Sequence, residues 1–159
     1  MSESTVLPVV RLCAVTAETA WDVFELSETL SAEQRNMVAD NAESIAEAHF
    51  SDRAWYRAIS ADGELAGFLM LHVGADEEID CPGVFLWRLM IAGPYQGRGI
   101  GRRVIESLVE YLRTRGIHEL HASHGDGPGS PESFYTALGF VPTGEHYGED
   151  HEVGVVLRW

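Results

Sequence analysis

The stretch that decides the fold reads Trp87-Arg-Leu-Met-Ile-Ala-Gly-Pro-Tyr-Gln-Gly-Arg-Gly-Ile-Gly101. Its first residues complete an almost wholly apolar run, residues 84–91, which predicts a strand buried on both faces. Gly93-Pro94 ends this strand. From position 101 to 115, apolar residues recur at helical spacing and predict an amphipathic helix that Gly116 terminates. The stretch therefore predicts a buried strand, a glycine-rich turn and a helix in direct succession.

The turn before this helix has the composition of an anion-binding site. Its glycines carry no side chains, so the backbone N–H groups of the turn stay uncovered. The partial positive charge at the start of a helix helps such N–H groups to hold phosphate oxygens. Arginines in the same segment add full positive charges: Arg98, Arg102 and Arg103. The turn therefore predicts a ligand that carries phosphate.

Four interpretations of this turn compete. A Walker loop requires a lysine after its last glycine, and this chain contains no lysine. A Rossmann turn requires the pattern G-x-G-x-x-G, and Arg102 occupies the position of the third glycine. A pyrophosphate-bearing coenzyme such as coenzyme A meets no such conflict. The fourth interpretation is a structural turn that binds no ligand.

The segments on either side predict a mixed α/β fold in one domain, residues 1–159. Strands are predicted at residues 6–13, 53–60, 65–73, 84–91, 117–122, 140–143 and 152–158. Two or three short helices are predicted between residues 16 and 49, and a further short helix between 130 and 139. Ser31 and Gln34 have the spacing of a capping box. The predicted order is β-α-α-β-β-β-α-β-α-β-β.

The charge balance is strongly acidic. The formal net charge is −14, with 25 acidic residues against 11 basic ones. A surface of this charge disfavours nucleic acid, whose phosphates need basic residues. It is compatible with a cationic substrate that the field of the protein attracts, and also with an acidity that only keeps the protein soluble.

The composition also excludes several classes of protein. No run of about 18 apolar residues predicts a membrane span, and residues 1–8 lack the pattern of a secretory signal. The expected location is therefore the cytoplasm. The two cysteines, Cys13 and Cys81, are expected to be reduced. The histidines lack the spacing of metal ligands, so no metal site is predicted.

Two segments resemble signatures of the GNAT acetyltransferase superfamily. Gln96-Gly-Arg-Gly-Ile-Gly101 is similar to its acyl-CoA loop, Gln/Arg-x-x-Gly-x-Gly/Ala, and stands between a buried strand and an amphipathic helix as that loop does. Phe134-Tyr-Thr-Ala-Leu-Gly-Phe140 is similar to the family's Tyr-x-x-Leu-Gly-Phe segment. The resemblance covers essentially the whole chain. It implies a mostly antiparallel sheet flanked by helices, acetyl-CoA as cosubstrate and an amine as acceptor.

The resemblance also implies roles for particular residues. The backbone of Leu89, Met90 and Ile91 would pair with the pantetheine arm, and an N–H group there would hold the thioester oxygen. Tyr135 would protonate the departing thiolate, because the pKa of tyrosine, about 10, is close to that of an alkyl thiol. The amides that would cradle the pyrophosphate belong to Gln96, Gly97, Arg98, Gly99, Ile100, Gly101 and Arg102.

Two of these positions keep an alternative. Tyr135 is otherwise a core aromatic beside Phe134 and Leu138. Many members of the family place an asparagine near the start of this helix to hold the pantetheine, where this chain has Ser130. Ser130 either takes over part of that contact to the cofactor or only caps the helix.

The acceptor is expected to be a primary amine of a small molecule that attacks acetyl-CoA directly in a ternary complex. Residues 34–48, which include Val-Ala-Asp-Asn-Ala-Glu-Ser-Ile-Ala, together with Trp87-Arg-Leu-Met-Ile91, resemble segments of bacterial spermine and spermidine acetyltransferases. This resemblance implies a polyamine acceptor, which suits an acidic protein. The alternatives are another amine (an amino sugar, an antibiotic or a protein N-terminus) and a non-catalytic sensor of acyl-CoA.

Members of the family often dimerise through C-terminal strands, and residues 153–159 are apolar enough to contribute to a homodimer.

The sequence does not single out the base that must take a proton from the amine. Each candidate base is better explained, taken singly, as a solvated surface carboxylate. The candidates are Glu25, Glu28, Glu33, Asp76, Glu77 and Glu78.

Overall fold

The computed structural model describes residues 6–74 and 83–159. Seven strands lie in these ranges: β1 Val10–Cys13, β2 Ala54–Ala61, β3 Glu64–Val73, β4 Val84–Ile91, β5 Glu119–His124, β6 Val141–Tyr147 and β7 Glu152–Arg158. They form one sheet in the spatial order β1-β2-β3-β4-β5-β7-β6. Neighbouring strands are antiparallel except β4 and β5, which are parallel. The prediction of a mixed, mostly antiparallel sheet is confirmed.

Five α-helices flank this sheet in the described part of the chain. They are α1 Ala20–Glu25, α2 Ala32–Arg35, α3 Asn41–His49, α4 Ile100–Thr114 and α5 Glu132–Leu138. The first third thus holds three helices, one more than the predicted order β-α-α-β-β-β-α-β-α-β-β contains. The extra helix is α2, a single turn that the predicted capping box starts: the Gln34 N–H donates to Ser31 Oγ, and the Ser31 N–H donates to Gln34 Oε1, both at 3.1 Å.

The helices pack on the sheet in two layers. On one face, α4 buries its apolar stripe of Ile100, Val104, Ile105, Leu108 and Leu112. The same core cluster includes Tyr135 of α5. On the other face, a second cluster joins α1 and α3 to β3 and β4. At about 1.5–3 kcal/mol for each fully buried aliphatic side chain, the stripe of α4 fixes the position of that helix on the sheet.

The parallel pair β4 and β5 stays together over a short distance only. The register runs from Val84 opposite Leu120 to Leu86 opposite Ala122. On its other side, β4 remains paired with β3 as far as Ile91 opposite Gly67. The two parallel strands therefore part after Leu86, and the second half of β4 has one edge without a strand partner in the described residues.

A β-bulge lies where the strands part. Met70 of β3 pairs with Arg88, but Leu71 pairs with Leu86, so Trp87 is the extra residue. A bulge bends its strand and increases the local twist. This bend turns the second half of β4 away from β5 and opens the sheet at that point.

Three predictions about segments have different outcomes. β7 lies inside the sheet, and its apolar Val155 and Val156 are buried in the core, so the fold of one chain accounts for the apolarity that suggested a dimer contact. Cys13 is exposed on β1, whereas Cys81 lies outside the described residues. Within 6–74 and 83–159, no helix has the length and apolarity needed to cross a bilayer.

Candidate functional site

A cavity of about 1020 Å³ opens where β4 and β5 part. One wall is β4 from Leu86 to Ile91, and the floor includes the glycine-rich turn and the start of α4. The opposite wall is built by the end of β5, the loop that follows it and α5. Residues 34–39 close a further side. The gap in the sheet is therefore an open cleft that side chains do not fill.

The cavity gathers the predicted cofactor residues from three separate segments. Among those predicted, Arg98 is the one that does not line it. The guanidinium of Arg98 lies against the ring of Tyr95, 5.5 Å from the ring centroid. The residues that do line it are Leu89, Met90, Ile91, Gln96, Gly97, Gly99, Ile100, Gly101, Arg102, Ser130 and, as the predicted acid, Tyr135.

The glycine-rich turn has the backbone that its sequence predicts. Gly97 and Gly99 have φ values of +75° and +77°, a region that favours glycine. Apart from the two adjacent residues, no described residue would have a heavy atom within 4 Å of a Cβ at either position, so the backbone conformation, not crowding, requires glycine there. Gly99 directly precedes the 15-residue α4. The turn therefore leaves open space at a helix N-terminus, as an anion-binding site requires.

Of the arginines near this turn, Arg102 is the one that brings positive charge to the cavity. Arg102 lines the cavity and donates to the Ala137 carbonyl at 3.3 Å. Arg103 pairs instead with Glu106 at 3.7 Å and does not line the cavity. A phosphate at the turn would thus be held by backbone amides and by Arg102.

The side chain of Gln96 holds the turn in place. Its Nε2 donates to the Ile91 carbonyl at 2.9 Å, which fixes the end of β4. Gln34 of α2 donates in turn to Gln96 Oε1 at 3.0 Å. On the other side, a Cβ at Gly129 would lie 2.6 Å from the carbonyl carbon of Glu33. The short helix α2 therefore bridges both loops of the cavity, a role that the sequence did not reveal.

Tyr135 lies at the junction of the core and the cavity. It is 6% exposed and packs against the rings of Phe134, Phe140 and His124, with centroids 5.4, 5.0 and 6.3 Å away. It also lines the cavity, so Tyr135 is a core aromatic residue that reaches the cleft, and its role as the acid stays a prediction. Burial raises the pKa of the phenol, and the nearby charge of Glu152 raises it further. Tyr135 therefore keeps its proton at neutral pH.

The raised pKa changes one premise of the sequence analysis. Proton transfer from a phenol to a free thiolate is nearly balanced only while the pKa of tyrosine stays near 10. Burial moves the pKa of Tyr135 upward, so the transfer to a solvated thiolate would be uphill. A thiolate released in the same cavity is desolvated as well, and its pKa rises for the same reason.

Ser130 uses its hydroxyl within the loop. Its Oγ donates to the Gly125 carbonyl at 2.6 Å and accepts from the Glu132 N–H at 3.2 Å. The second bond satisfies a free N–H group at the start of α5, as a cap does. Pro131, not Ser130, is the N-cap residue of α5, so Ser130 satisfies this N–H group from the position before the cap. Ser130 also lines the cavity, and its contact with a cofactor stays a prediction.

None of the candidate bases from the sequence lies in the cavity as described. Glu25, Glu28 and Glu33 do not line it, while Asp76, Glu77 and Glu78 lie outside the described residues. The described carboxylates that line it are Asp126, Asp150 and Glu152.

Glu152 differs from the other two carboxylates in its surroundings. It is half-buried, whereas Asp150 is exposed and Asp126 lies in the loop after β5. Burial raises the pKa of Glu152 and Asp150 raises it further, while Arg88 and His124 act on this pKa in the opposite direction. No spacing along the chain connects Glu152 with Tyr135. Only the order of the sheet, which places β7 beside β5, reveals that they share a cavity.

The chain matches the model of the Acetyltransferase (GNAT) family over residues 18–140. It is 26% identical over 110 residues to an uncharacterised N-acetyltransferase in the pepI 3' region of Lactobacillus delbrueckii subsp. lactis, which covers 66% of this chain and 64% of that protein. It is 29% identical over 82 residues to the ribosomal protein bS18-alanine N-acetyltransferase of Salmonella typhimurium, covering 52% of this chain and 51% of the relative. The chain thus spans between half and two thirds of these curated relatives.

Two solved structures have the same fold over nearly the whole chain. An acetyltransferase from Thermus thermophilus superposes with a TM-score of 0.68 at 24% identity, covering 95% of this chain and 97% of its own. The PaiA N-acetyltransferase of Thermoplasma acidophilum, solved in complex with coenzyme A, superposes with a TM-score of 0.67 at 16% identity, covering 95% and 99%.

Proposed function

The chain belongs to the GNAT acetyltransferase family, and from this premise we propose that it transfers the acetyl group of acetyl-CoA to a primary amine in the cavity between β4 and β5. The observation that carries this proposal is the parting of the parallel strands beside the glycine-rich turn of α4. The gap brings together a strand edge with no strand partner in the described residues, a turn suited to anions and the buried phenol of Tyr135.

The residues of the cleft fit acetyl-CoA in three places. The amides of the turn and Arg102 suit the pyrophosphate, as a helix N-terminus suits anions. The edge of β4 at Leu89–Ile91 has no strand partner in the described residues, and its backbone groups, apart from the Ile91 carbonyl that Gln96 occupies, can pair with an extended amide chain as an added strand does. The thioester would then reach the buried end of the cleft at Tyr135.

Two groups of the chain would lower the barrier to transfer. A backbone N–H of β4 would hold the thioester oxygen as it becomes negative, an interaction that is typically worth a factor of about 10²–10³ in rate. Tyr135 would donate its phenolic proton to the sulfur as the C–S bond breaks. Because burial keeps this phenol protonated at neutral pH, the proton is present when the sulfur needs it.

The charges at the acceptor end of the cavity favour a cationic amine. Two arginines line this region, but Arg35 is paired with Asp40 at 3.6 Å and Arg88 with Glu47 at 3.2 Å. The carboxylates that line the cavity add negative charge, and the net charge of the whole chain is −14. A polyamine, which carries several positive charges, fits this field better than a neutral amine does.

The resemblance to polyamine acetyltransferases supports the same acceptor only in part. Asn41 is buried, and its Nδ2 donates to the Val23 carbonyl at 2.8 Å. Its backbone N–H is held by Ser27 Oγ at 2.9 Å, and Ser44 is fully buried. These positions of the resembling segment serve the packing of α3 against α1. The proposal of a polyamine therefore depends on the cavity charge more than on this segment.

A protein N-terminus is the second candidate acceptor. It is favoured by the similarity to the Salmonella relative, which is named for acetylating an alanine of ribosomal protein bS18. The α-amine of a peptide would enter the same cavity as a polyamine.

The test is free-thiol release from acetyl-CoA with a panel of amines: spermidine, spermine, putrescine, lysine, an aminoglycoside and a peptide with N-terminal alanine. Turnover that is fastest with the polyamines is the expected result. Turnover only with the peptide or the aminoglycoside would keep acetyl transfer and overturn the polyamine acceptor. Tight binding of acetyl-CoA without turnover on any amine would contradict the enzyme and favour a sensor of acyl-CoA.

A further inference from the structure

Glu152 is the first residue of β7 and lines the cavity. The next residue, Val153, pairs with His124, the last residue of β5. β4 has already left β5 two residues earlier in the register, after Leu86 and Ala122. The side chain at position 152 therefore lies at the end of the sheet, beside the gap that β4 leaves.

Glu152 and Tyr135 belong to opposite faces of the sheet. Side chains alternate along a strand, so Val153 and Val155 share one face and Glu152 points to the other. Val155 belongs to the core cluster that includes Tyr135. Glu152 pairs with Tyr147, whose ring packs on Phe85 at 5.1 Å. The carboxylate and the phenol thus approach the same cleft from its two sides.

The charged and titratable groups around Glu152 leave its carboxylate available. Arg88 on β4 is already bonded to Glu47 at 3.2 Å. The Nδ1 of His124 on β5 lies 3.0 Å from the Gly125 carbonyl and therefore donates to it. Asp150, in the turn before β7, is exposed. In the described part of the chain, no ion pair occupies Glu152.

We propose that Glu152 is the catalytic base that takes the proton from the acceptor amine, on the side of the cleft opposite to the acid Tyr135. This proposal rests on the proposed acetyl transfer and adds to it the residue that the sequence could not identify. It also defines the acceptor side: the amine enters from the face of Glu152, and acetyl-CoA lies on the face of α4 and α5.

The proton and electron balance of the step is complete with these two groups. Glu152 takes one proton from the ammonium, and the freed nitrogen lone pair forms the C–N bond to the acetyl carbonyl carbon. The C–S bond breaks with its electron pair on sulfur, which receives the proton of Tyr135. The second proton of the attacking nitrogen restores the phenol, and the proton on Glu152 leaves to solvent.

The surroundings of Glu152 suit this role. Burial brings the pKa of its carboxyl closer to neutral, which makes the carboxylate a stronger proton acceptor than an exposed one. Activity with an amine that is charged at neutral pH should therefore rise with pH as Glu152 loses its proton. The exposed Asp150 lacks this advantage.

The test compares Glu152→Gln with the matched control Glu149→Gln, which removes the same charge from an exposed position near Glu152 that does not line the cavity. Kinetics are measured with spermidine and with a hydrazide, a nucleophile that is already neutral at pH 7. We expect kcat with spermidine to fall about 100-fold in Glu152→Gln, the size typical of a general base. The hydrazide should lose little, because it is already neutral before it attacks. Glu149→Gln should behave as the wild type with both.

The outcomes separate failure of this proposal from failure of acetyl transfer itself. Wild-type kcat in Glu152→Gln, equal losses with both nucleophiles, or a raised KM for spermidine with unchanged kcat would overturn the role of base. The absence of turnover in the wild type would instead overturn the proposed function. Acetyl-CoA affinity, measured by calorimetry, should be unchanged in the variant. If Glu152→Gln does not fold, Glu152→Asp replaces it, because it keeps a carboxylate but shortens the side chain by one methylene. Its kcat should then fall below the wild-type value with spermidine and change little with the hydrazide, and equal losses with both would overturn the role of base.

Discussion

Glu119 shows how a single residue ties the end of the sheet together. Its Oε1 lies 2.9 Å from His121 Nε2, and its Oε2 accepts from Arg158 Nε at 3.2 Å, which joins β5 to β7. The hydrogen bond to His121 lowers the pKa of Glu119 most strongly, and Arg158 adds to the effect. A lowered pKa means that the folded protein favours the charged form.

The effect of Glu119 on stability should depend on pH. Its contribution is present above the pKa of the unfolded chain and is lost as the pH falls through the lower pKa of the folded state. We expect Glu119→Gln to reduce the free energy of unfolding by about 0.5–1 kcal/mol at pH 7, as for a half-exposed ion pair. The difference between the two proteins should become smaller as the pH falls. Urea denaturation at pH 7 and pH 3 measures it, with the exposed Glu18→Gln as control; a loss equal at both pH values would refute this account.

At the residue scale, the sequence predicts what a local pattern encodes. The turn formed by Gln96 and the glycines could be predicted, because backbone conformation and the start of a helix depend on neighbouring residues in the chain. The spacing of the arginines could not predict that the side chain of Arg98, unlike that of Arg102, turns towards the ring of Tyr95. Glu152 had no local signal at all, since its neighbours come from other strands.

At the scale of elements, the start of α4 is shaped by its contact with α5. A Cβ at Gly101 would lie 2.9 Å from the ring of Phe134, the residue before Tyr135. The third glycine of the turn therefore lets two helices approach, whereas the first two allow positive φ. The glycines of this one motif therefore have two different structural roles, close packing of helices and positive φ.

This contact predicts a split between kcat and KM. Gly101→Ala should push Phe134 aside, lower the free energy of unfolding by about 1–3 kcal/mol through overpacking, and reduce kcat through the displaced Tyr135. Gly97→Ala should mainly raise the KM for acetyl-CoA, because its strain, about 1–2 kcal/mol, acts on the turn itself.

Steady-state kinetics and thermal denaturation of both variants check this, beside Gly116→Ala as a control. Gly116 also has a positive φ, +74°, and an added Cβ would meet no crowding from the described residues, but Gly116 follows the far end of α4. Equal changes of kcat and KM in all three variants would show that only stability is affected.

The predicted helices and strands match the structure where the packing of a segment agrees with its local sequence pattern. The predicted helix 101–115 is α4 with its boundaries shifted by one residue, because its stripe of apolar residues is long and regular. The predicted strand 6–13 shortens to Val10–Cys13, since β1 pairs only with β2 over that length. The single turn of α2 is too short to show apolar residues at helical spacing, and only its capping box indicates a helix start in the sequence.

At the scale of the whole molecule, the net charge of −14 should attract a polycation over long distances. Salt screens such attraction, with a Debye length of about 10 Å at 0.1 M and about 3 Å at 1 M. We expect the KM for spermidine to rise on the order of 10-fold between these salt concentrations. The KM for butylamine, a monocation, should change much less. An equal salt dependence of both KM values would contradict attraction by the overall field.

The cavity itself is a property of the whole sheet. It forms because β4 carries a bulge at Trp87 and β5 follows β4 in parallel for three residue pairs only. Neither fact has a signature in one strand, so sequence patterns indicated the cavity only through resemblance to a family. The insertion of β7 between β5 and β6 likewise depends on the packing of distant segments.

The most direct measurement of acetyl transfer in this cavity is the rate of thiol release from acetyl-CoA with spermidine, for the wild type and for Tyr135→Phe. We predict turnover by the wild type and a kcat about 100-fold lower in the variant, because the phenylalanine fills the same space but has no proton to donate. The affinity for acetyl-CoA should be the same in both proteins. Equal kcat values would contradict the role of Tyr135 as the acid, and no thiol release by the wild type with any amine would contradict acetyl transfer altogether.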